Sequence, residues 1–596
     1  MMKWDIVSFL TFNLYPLLYT VVISFTDLKG VAATEFHFLP NLFQNYIDAF
    51  NNPSFVTSLK NTVFIWGINF IPQIVLALSL AVWFTNKRMK IKGIGIFKVL
   101  FYMPNIITAA SIAILFSAFF EAPIGPMNDL LMRLGLSSKT VYFFRDALTS
   151  QGIVAFIQFW MWYGVTMIVL IAGINGISPT IFEAAAIDGA NGIQTFFMVT
   201  FPSLRPILLY TLVTSFVGGM QMFDIPRLLV QRSGPDNATL TTSVYIYNQA
   251  FSGSYMFNRA AAASMILFSI IAVCSAILFY IMRDKDAAAL KKIQKARAKN
   301  EKQARRGGRM SKVKKESGTS GRMLVGTVFI YILLITLAVL SVLPFLVMLV
   351  NATRSTPEIQ QQALSLVPGS HLITNIKILL GGVFDPVIGF MNSMTISVGS
   401  TMLGIYFSCL TAYGLVAYDW KLRDGFFAFI LCILMIPSTI SIIGFYQFVW
   451  KLGWTNNLLP LILPSIASPT IVFFMRQYLV ATLSMEIVEA ARIDGSGEFA
   501  TFNRIILPIM KPAIATQAIF VFVSSWNNLF LPLVLLTKKE LFTMPIMVSL
   551  LRGDIYRTEL GTVYLGITMT VLPLFVVYFA LSKYIIAGVA LGGVKE

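Results

Sequence analysis

The side chains that most often do chemistry are scarce in this sequence. Its two histidines, His37 and His371, lie far apart, and its three cysteines, Cys274, Cys409 and Cys432, each sit inside an apolar run. Neither set has paired or metal-ligand spacing, so disulfides and zinc are not expected. There is no Gly-Lys dipeptide, hence no phosphate-binding loop of the Gly-Lys-Ser/Thr kind. What stands out is a repeat. EAAAIDGANGIQTFFMVTFPSLRP, from Glu183 to Pro206, returns as EAARIDGSGEFATFNRIILPIMKP, from Glu489 to Pro512, at a constant offset of 306 with ten of 24 positions identical.

Each copy reads as a helix, a turn and a second short helix. Glu183-Ala184-Ala185-Ala186 is a strong helix former. Asp188-Gly189 then breaks it, because Gly supplies a positive φ and Asp is a common turn residue. Ile193, Phe196, Phe197 and Val199 make an amphipathic stretch, and Pro202 and Pro206 limit where the next helix begins. The second copy repeats the plan with Glu489, Ala490, Ala491, Asp494, Gly495, Phe499, Phe502, Pro508 and Pro512. Such a unit offers an acidic side chain, small residues for close approach and apolar ones. A single copy would be adequately explained as a capped loop. Two matched copies point to one kind of partner docking twice.

The surroundings of the two copies are apolar. Hydrophobic residues make up 57% of the chain and charged ones 12%, against about 45–50% and about 25% in soluble domains. The apolar residues fall in spans. Ile6 to Phe25, Val63 to Thr85, Ala155 to Ser178 and Thr562 to Ser582 hold no charged side chain, and roughly 20 such residues cross a bilayer. Twelve candidate helices fall in two sets of six: 6–25, 62–85, 97–120, 153–175, 204–225 and 260–282, then 323–350, 391–415, 425–450, 458–480, 513–536 and 561–583. The first is read as an uncleaved span, not as a signal peptide cut near Val31-Ala32-Ala33.

The net charge of +18 is concentrated. Arg283 to Arg322 carries fifteen Lys or Arg against four Asp or Glu and no aromatic residue. A cytoplasmic linker beside anionic lipid explains this better than a nucleic-acid arm. Within it, Asp286 to Lys302 is helix-compatible and Gly307 to Gly321 reads as flexible. Lys87, Arg88, Lys90, Lys92 and Lys98 after the second span, and Lys421 and Arg423 after the eighth, mark the cytoplasmic side again. Six is an even number, so the two sets enter the membrane in the same sense and form a parallel repeat.

Both 24-residue segments resemble the EAA loop of ABC importer permeases: Glu-Ala-Ala, Asp-Gly, then Leu-Pro with the proline thirteen residues after the glycine. Gly189 to Pro202 and Gly495 to Pro508 have that spacing, although Phe201 stands where Leu is usual. NYIDAF from Asn45, NTVF from Asn61, GPMNDLLMRLGL from Gly125 and SVYIYNQAF from Ser243 are similar to the first permease of the maltose and multiple-sugar class. NSMTISV from Asn392, TAYGL from Thr411 and SSWNNLFLPLVL from Ser524 are similar to the second. These permeases are usually two chains, so the resemblance is to a fusion.

The resemblance implies an all-α integral membrane fold, two parallel six-helix repeats of the ABC importer (MetI-like) type. The expected division is 1–283 for the first half (EAA loop 183–206), 284–322 for the linker and 323–596 for the second half (EAA loop 489–512). It implies a transport component and not an enzyme, with no cofactor on this chain. ATP and Mg would belong to two cytoplasmic ABC ATPase subunits seated on the loops through Glu183, Ala184, Ala185, Asp188, Gly189, Pro202, Glu489, Ala490, Ala491, Asp494, Gly495 and Pro508. An extracellular or periplasmic binding protein would deliver a sugar or oligosaccharide across a bacterial cytoplasmic (plasma) membrane. The termini and linker would be cytoplasmic.

Polar residues inside spans are costly and often functional. Candidates for the solute path are Asn105, Gln158, Tyr163, Gln221 and Asp224 in the first half, and Tyr446, Gln447, Trp526 and Asn527 in the second. Trp160, Trp162, Trp450 and Asn528 lie beside them. Interhelical hydrogen bonding is the competing role for each. Alternatives in function are import of another solute, such as glycerol phosphate or a polyamine, and an ion-coupled secondary transporter.

Overall fold

The computed structural model describes residues 2–30, 35–86, 91–123, 125–304, 320–382, 384–434, 436, 438–551 and 559–592. Among these residues the regular structure is helical, with one isolated antiparallel bridge between Thr26 and Phe38. Several helices start where the sequence offers a cap followed by proline. Asn52-Pro53, Asp385-Pro386 and Ser468-Pro469 each open a helix, and the Asn, Asp or Ser side chain accepts a first-turn backbone N–H. The cap satisfies an otherwise orphan donor, and proline at the first position has none to lose.

Nine helices among the described residues are long and apolar enough to cross a membrane, and up to eleven if two bent pairs each count as one span. The third predicted span, 97–120, is therefore not straight. It divides into Ile94–Ile106 and Ala109–Phe119, bent by 93°. Pro104 cannot donate to the preceding turn, Ile107 is extended, and Thr108 caps the second helix by accepting from Ser111 N. The ninth, 425–450, is likewise two helices, Arg423–Leu434 and Ser438–Lys451. The eleventh begins at Lys511 and meets the preceding segment at 80°. The sixth continues well past its apolar stretch, as one helix from Phe257 to Ala304 that takes in Asp286 to Lys302. The next helix starts at Ser320, and 305–319, most of the stretch read as flexible, lies outside the described residues, as does Val31-Ala32-Ala33.

The first span of each half packs on the other half. Helix Tyr15–Ile23 lies against Ser438–Lys451, where Gly444 N donates to Thr20 Oγ1 at 3.0 Å. A Cβ on Gly444 would collide with the Pro16 carbonyl, so glycine permits this crossing. Helix Ser320–Asn351 crosses the first half's Ala147–Asn175: Trp160 Nε1 donates to the Leu340 carbonyl at 3.2 Å, and the Tyr163 and Ser341 hydroxyls are 2.7 Å apart. From the last helix, Leu560–Gly592, Tyr578 donates to the Val99 carbonyl at 2.6 Å.

Paired asparagines give the two halves the same outer framework. Asn45 Nδ2 donates to the carbonyls of Ser24 and Thr26, and Asn375 Nδ2 donates to those of Ala352 and Arg354. Asn61 Nδ2 donates to Asn237 and Leu240, and Asn392 Nδ2 to Glu540 and Phe542. The next residue repeats the match. Thr62 Oγ1 accepts from Thr242 N, and Ser393 Oγ from Met544 N. Each amide satisfies two carbonyls at a loop that turns back toward a span.

Candidate functional site

Two features carry the candidate chemistry: the repeated loops and a cavity between helices. The loops match element by element. Helices Pro179–Ile187 and Met485–Ile493, short helices Gly192–Thr195 and Glu498–Thr501, π-turns Phe196–Thr200 and Phe502–Ile506, and the starts of the next helices at Arg205 and Lys511 all keep the 306 offset. Gly189 and Gly495 have φ of 74° and 76°. Around them, Gly189 N bonds to Ala186 O and Ala190 N to Ala185 O, as Gly495 N does to Arg492 O and Ser496 N to Ala491 O. This two-bond closure is a Schellman cap, which needs the left-handed residue that Gly supplies. The π-turns lie just before Pro202 and Pro508, where the missing proline donor loosens the helix.

The loops expose large apolar side chains at equivalent places. Ile187 is 78% exposed and Ile493 86%; Ile193 is 72% exposed and Phe499 58%. Glu183, Ala184, Asp188 and Gly189 are exposed on one loop, and Glu489, Ala490, Asp494, Gly495 and Pro508 on the other. Ala185 and Pro202 are half-buried, and Ala491 is buried.

The loops differ in how they are held. Helix Pro179–Ile187 buries no residue, whereas the second copy buries Val488, Ala491, Phe502 and Ile506. Glu498 accepts from Arg492 Nε at 2.9 Å, from Tyr413 at 3.4 Å and, closely, from Tyr418. Burial raises the Glu498 carboxyl, but the bonds from Tyr418 and Arg492 outweigh it and leave the group below the usual carboxylate range. The Tyr418 hydroxyl is pushed up, first by burial and then by that carboxylate. Sequence reasoning passed over this cluster. Its signal was present, because Ala186 and Gly192 occupy the equivalent places in the first copy.

The cavity measures about 520 Å³ and is walled mainly by the first half. Helix Pro53–Thr85 supplies Trp66, Asn69 and Gln73, Ala147–Asn175 supplies Gln158, Trp162 and Thr166, and Arg205–Met220 supplies Tyr210, Thr214 and Ser215. Gln221 and Asp224 follow at the end of that last helix, and Asn528 and Phe530 reach in from the second half. Trp66 Nε1 donates to Ser215 Oγ at 3.3 Å and Gln73 Nε2 to Thr166 Oγ1 at 2.7 Å, which joins the walls. Phe530 packs on Phe223 with ring centroids 4.3 Å apart.

Of the candidate path residues, Gln158, Gln221 and Asp224 come together here, with Trp162 and Asn528. The others lie elsewhere. Asn105 is half-buried just before the 93° bend. Tyr163 bonds Ser341 between the halves. Tyr446 packs on Phe251 and Phe257. Gln447 is buried with neither amide atom partnered among the described residues. Trp526 is buried against Phe522 and Phe390, and Asn527 donates to the Ile106 carbonyl at 2.9 Å. Trp66, Asn69 and Gln73 were not among the candidates. Their spacing of three and four residues was the available signal, since it aligns them on one helix face.

A family profile described as "Binding-protein-dependent transport system inner membrane component" matches residues 41–285 and again 400–590. The chain is 40% identical over 206 residues to the arabinooligosaccharides transport system permease protein AraQ of Halalkalibacterium halodurans, covering 35% of this chain and 73% of AraQ. It is 31% identical to the lactose transport system permease protein LacF of Rhizobium radiobacter, over 46% of this chain and 90% of LacF. It is 30% identical to the sn-glycerol-3-phosphate transport system permease protein UgpE of Pectobacterium atrosepticum, over 44% of this chain and 95% of UgpE. Nearly a whole relative thus fits in less than half of this chain, which with the doubled profile match is consistent with two permease units fused.

Proposed function

The chain belongs to the family of binding-protein-dependent transport system inner membrane components, and from that premise we propose that it imports a sugar or short oligosaccharide, driven by ATP hydrolysed on separate cytoplasmic subunits. The observation that carries this reading is the pair of loops that agree in every element boundary and expose isoleucine and phenylalanine at equivalent positions. Two docking units with matching element boundaries fit two copies of one kind of ATPase. ATP and Mg are held by that partner, and closure of its dimer moves the loops and the spans that continue from them at Arg205 and Lys511. A binding protein delivers solute from outside. The basic linker and both termini then lie in the cytoplasm, in a bacterial plasma membrane.

The cavity is the solute path in this reading. Trp66, Trp162 and Tyr210 offer aromatic faces to sugar C–H surfaces, and Asn69, Gln158 and Asn528 offer amides to hydroxyls. The test is uptake of radiolabelled oligosaccharides into proteoliposomes that hold this chain, its ATPase and its binding protein. Ile187→Asp with Ile493→Asp should abolish uptake and release the ATPase, with the chain still in the membrane. Uptake that persists without ATPase overturns the reading and favours an ion-coupled transporter.

A further inference from the structure

We infer that the two loops take their ATPase copies in sequence, the second half's loop first, because it is held as a preformed dock and the first half's loop is not. This rests on the reading of the loops as ATPase docks. The surfaces they offer are alike, with Ile187 and Ile493, and Ile193 and Phe499, exposed at equivalent places. The supports beneath them differ. In the second loop Phe502 is fully buried, its ring centroid 5.7 Å from that of Tyr406 and 5.8 Å from that of Tyr413 on helix Pro386–Val416. Tyr406 also donates to Asn503 Oδ1 at 3.2 Å. Val488 and Ile506 are buried in one cluster with Met475 and Leu479 of helix Pro469–Thr482. Besides its bond to Glu498, the Arg492 guanidinium lies 5.4 Å from the Tyr418 ring centroid.

The first loop's side chains bond within the loop. Asn191 and Gln194 each accept from the other's backbone N–H at 2.9 Å, Thr195 donates to the Asn191 carbonyl, and the Ser178 and Thr180 hydroxyls pair at 2.8 Å. Phe196 packs on Phe197 and Phe201 of its own stretch, and half-buried Phe182 ties helix Pro179–Ile187 to the core. Gly192 and Ala186, where the second copy has Glu498 and Arg492, have no group that could make that ion pair. A segment with few buried apolar contacts opens at low free energy. A partner that docks on it must order it while binding, and a partner on the held loop is spared that cost. With like contact surfaces, the held loop binds more tightly and fills first.

The test follows each loop by hydrogen exchange in the purified full chain in nanodiscs, as its separately purified ATPase subunit is added without ATP. Before addition, 485–506 should exchange at least about ten-fold more slowly than 179–200. At about half an equivalent of ATPase, the second loop should hold at least about three times as much bound subunit as the first, and at saturation the first loop should show the larger gain in protection. Tyr413→Phe with Tyr418→Phe removes the hydroxyls that reach Glu498 and keeps both rings, with no change to the loop's own side chains. This double variant should speed exchange in 485–506, leave 179–200 unchanged and bring the occupancy ratio to about 1.5 or less. Equal filling of the two loops in the native chain, or a native preference in the double variant, overturns the sequence of docking alone. No protection of either loop at saturating ATPase overturns the docking reading and the sequence with it.

Discussion

Asn45 and Asn375 each spend one amide on two backbone carbonyls in a buried place, and a side chain of like size without donors leaves both unpaired. An unmade bond of this kind costs about 1–3 kcal/mol. Asn45→Leu and Asn375→Leu should therefore each lower the melting temperature of the purified chain, and Asn45→Leu the more, since Asn45 also accepts from Asn258 Nδ2 at 3.1 Å. An unchanged melting curve for both would mean that the brackets hold nothing. Short matches such as NYIDAF and NTVF were visible in the sequence as similarities, and their physical content was not. What the asparagines grasp lies 19 to 179 positions away. The same distance hid the cavity. Gln158, Gln221 and Asp224 stood out because polar groups in apolar runs are rare, but Tyr210, Thr214 and Ser215 become wall residues only once three helices converge.

The loops were the most legible element, since a gapless repeat fixes turn, caps and prolines together. Their unequal anchoring was harder to read, because it depends on Tyr413 and Tyr418 from another helix end. Two expectations follow. At Gly189 and Gly495 a Cβ would touch nothing within 4 Å, so any penalty comes from the positive φ alone. That penalty is about 1–2 kcal/mol for Ala, less for Asn and more for a β-branched residue. Remaining uptake should fall in the order Asn, Ala, Val at either site, with membrane abundance constant; native uptake in both Val variants would remove the loops from coupling. The second expectation concerns Glu498. Its carboxyl lies below its ordinary range in the folded chain, so the tether contributes fully above the ordinary value and is lost as pH falls through the depressed one. Hydrogen exchange in 485–501, corrected for intrinsic rate, should stay constant from about pH 7 to about pH 5 and rise only in stronger acid. Glu498→Gln should raise it already at neutral pH, with 179–195 unaffected. Equal exchange in the variant and the native chain would show that apolar burial alone holds the loop.

At the scale of the molecule, the sequence spoke clearly about two sets of spans and was silent on how they interlock. Periodicity places an apolar helix in a bilayer but does not say which neighbour it meets, and the breaks near Ile107 and before Ser438 were smoothed over by continuous hydropathy. The interlock has a consequence for the fusion. Thr20 with Gly444, Tyr163 with Ser341 and Tyr578 with Val99 join the halves at separate places inside the membrane. None of these contacts involves the basic segment, and we propose that the covalent link serves to keep the halves close. Segments 1–295 and 310–596, expressed together as two chains, should co-purify and retain uptake. In that split form the interface alone must hold the pair, which exposes its weak point. Gly444→Leu sets a side chain where the Pro16 carbonyl passes, and overpacking of this kind costs about 1–3 kcal/mol. The intact chain should tolerate this better, because the tether keeps the halves at high effective concentration. Recovery of the second fragment on an affinity-tagged first fragment should drop by roughly ten-fold or more with Gly444→Leu. Full recovery with the variant would mean that the first span is not seated on Ser438–Lys451, and failure of the native fragments to associate would assign the linker a structural role.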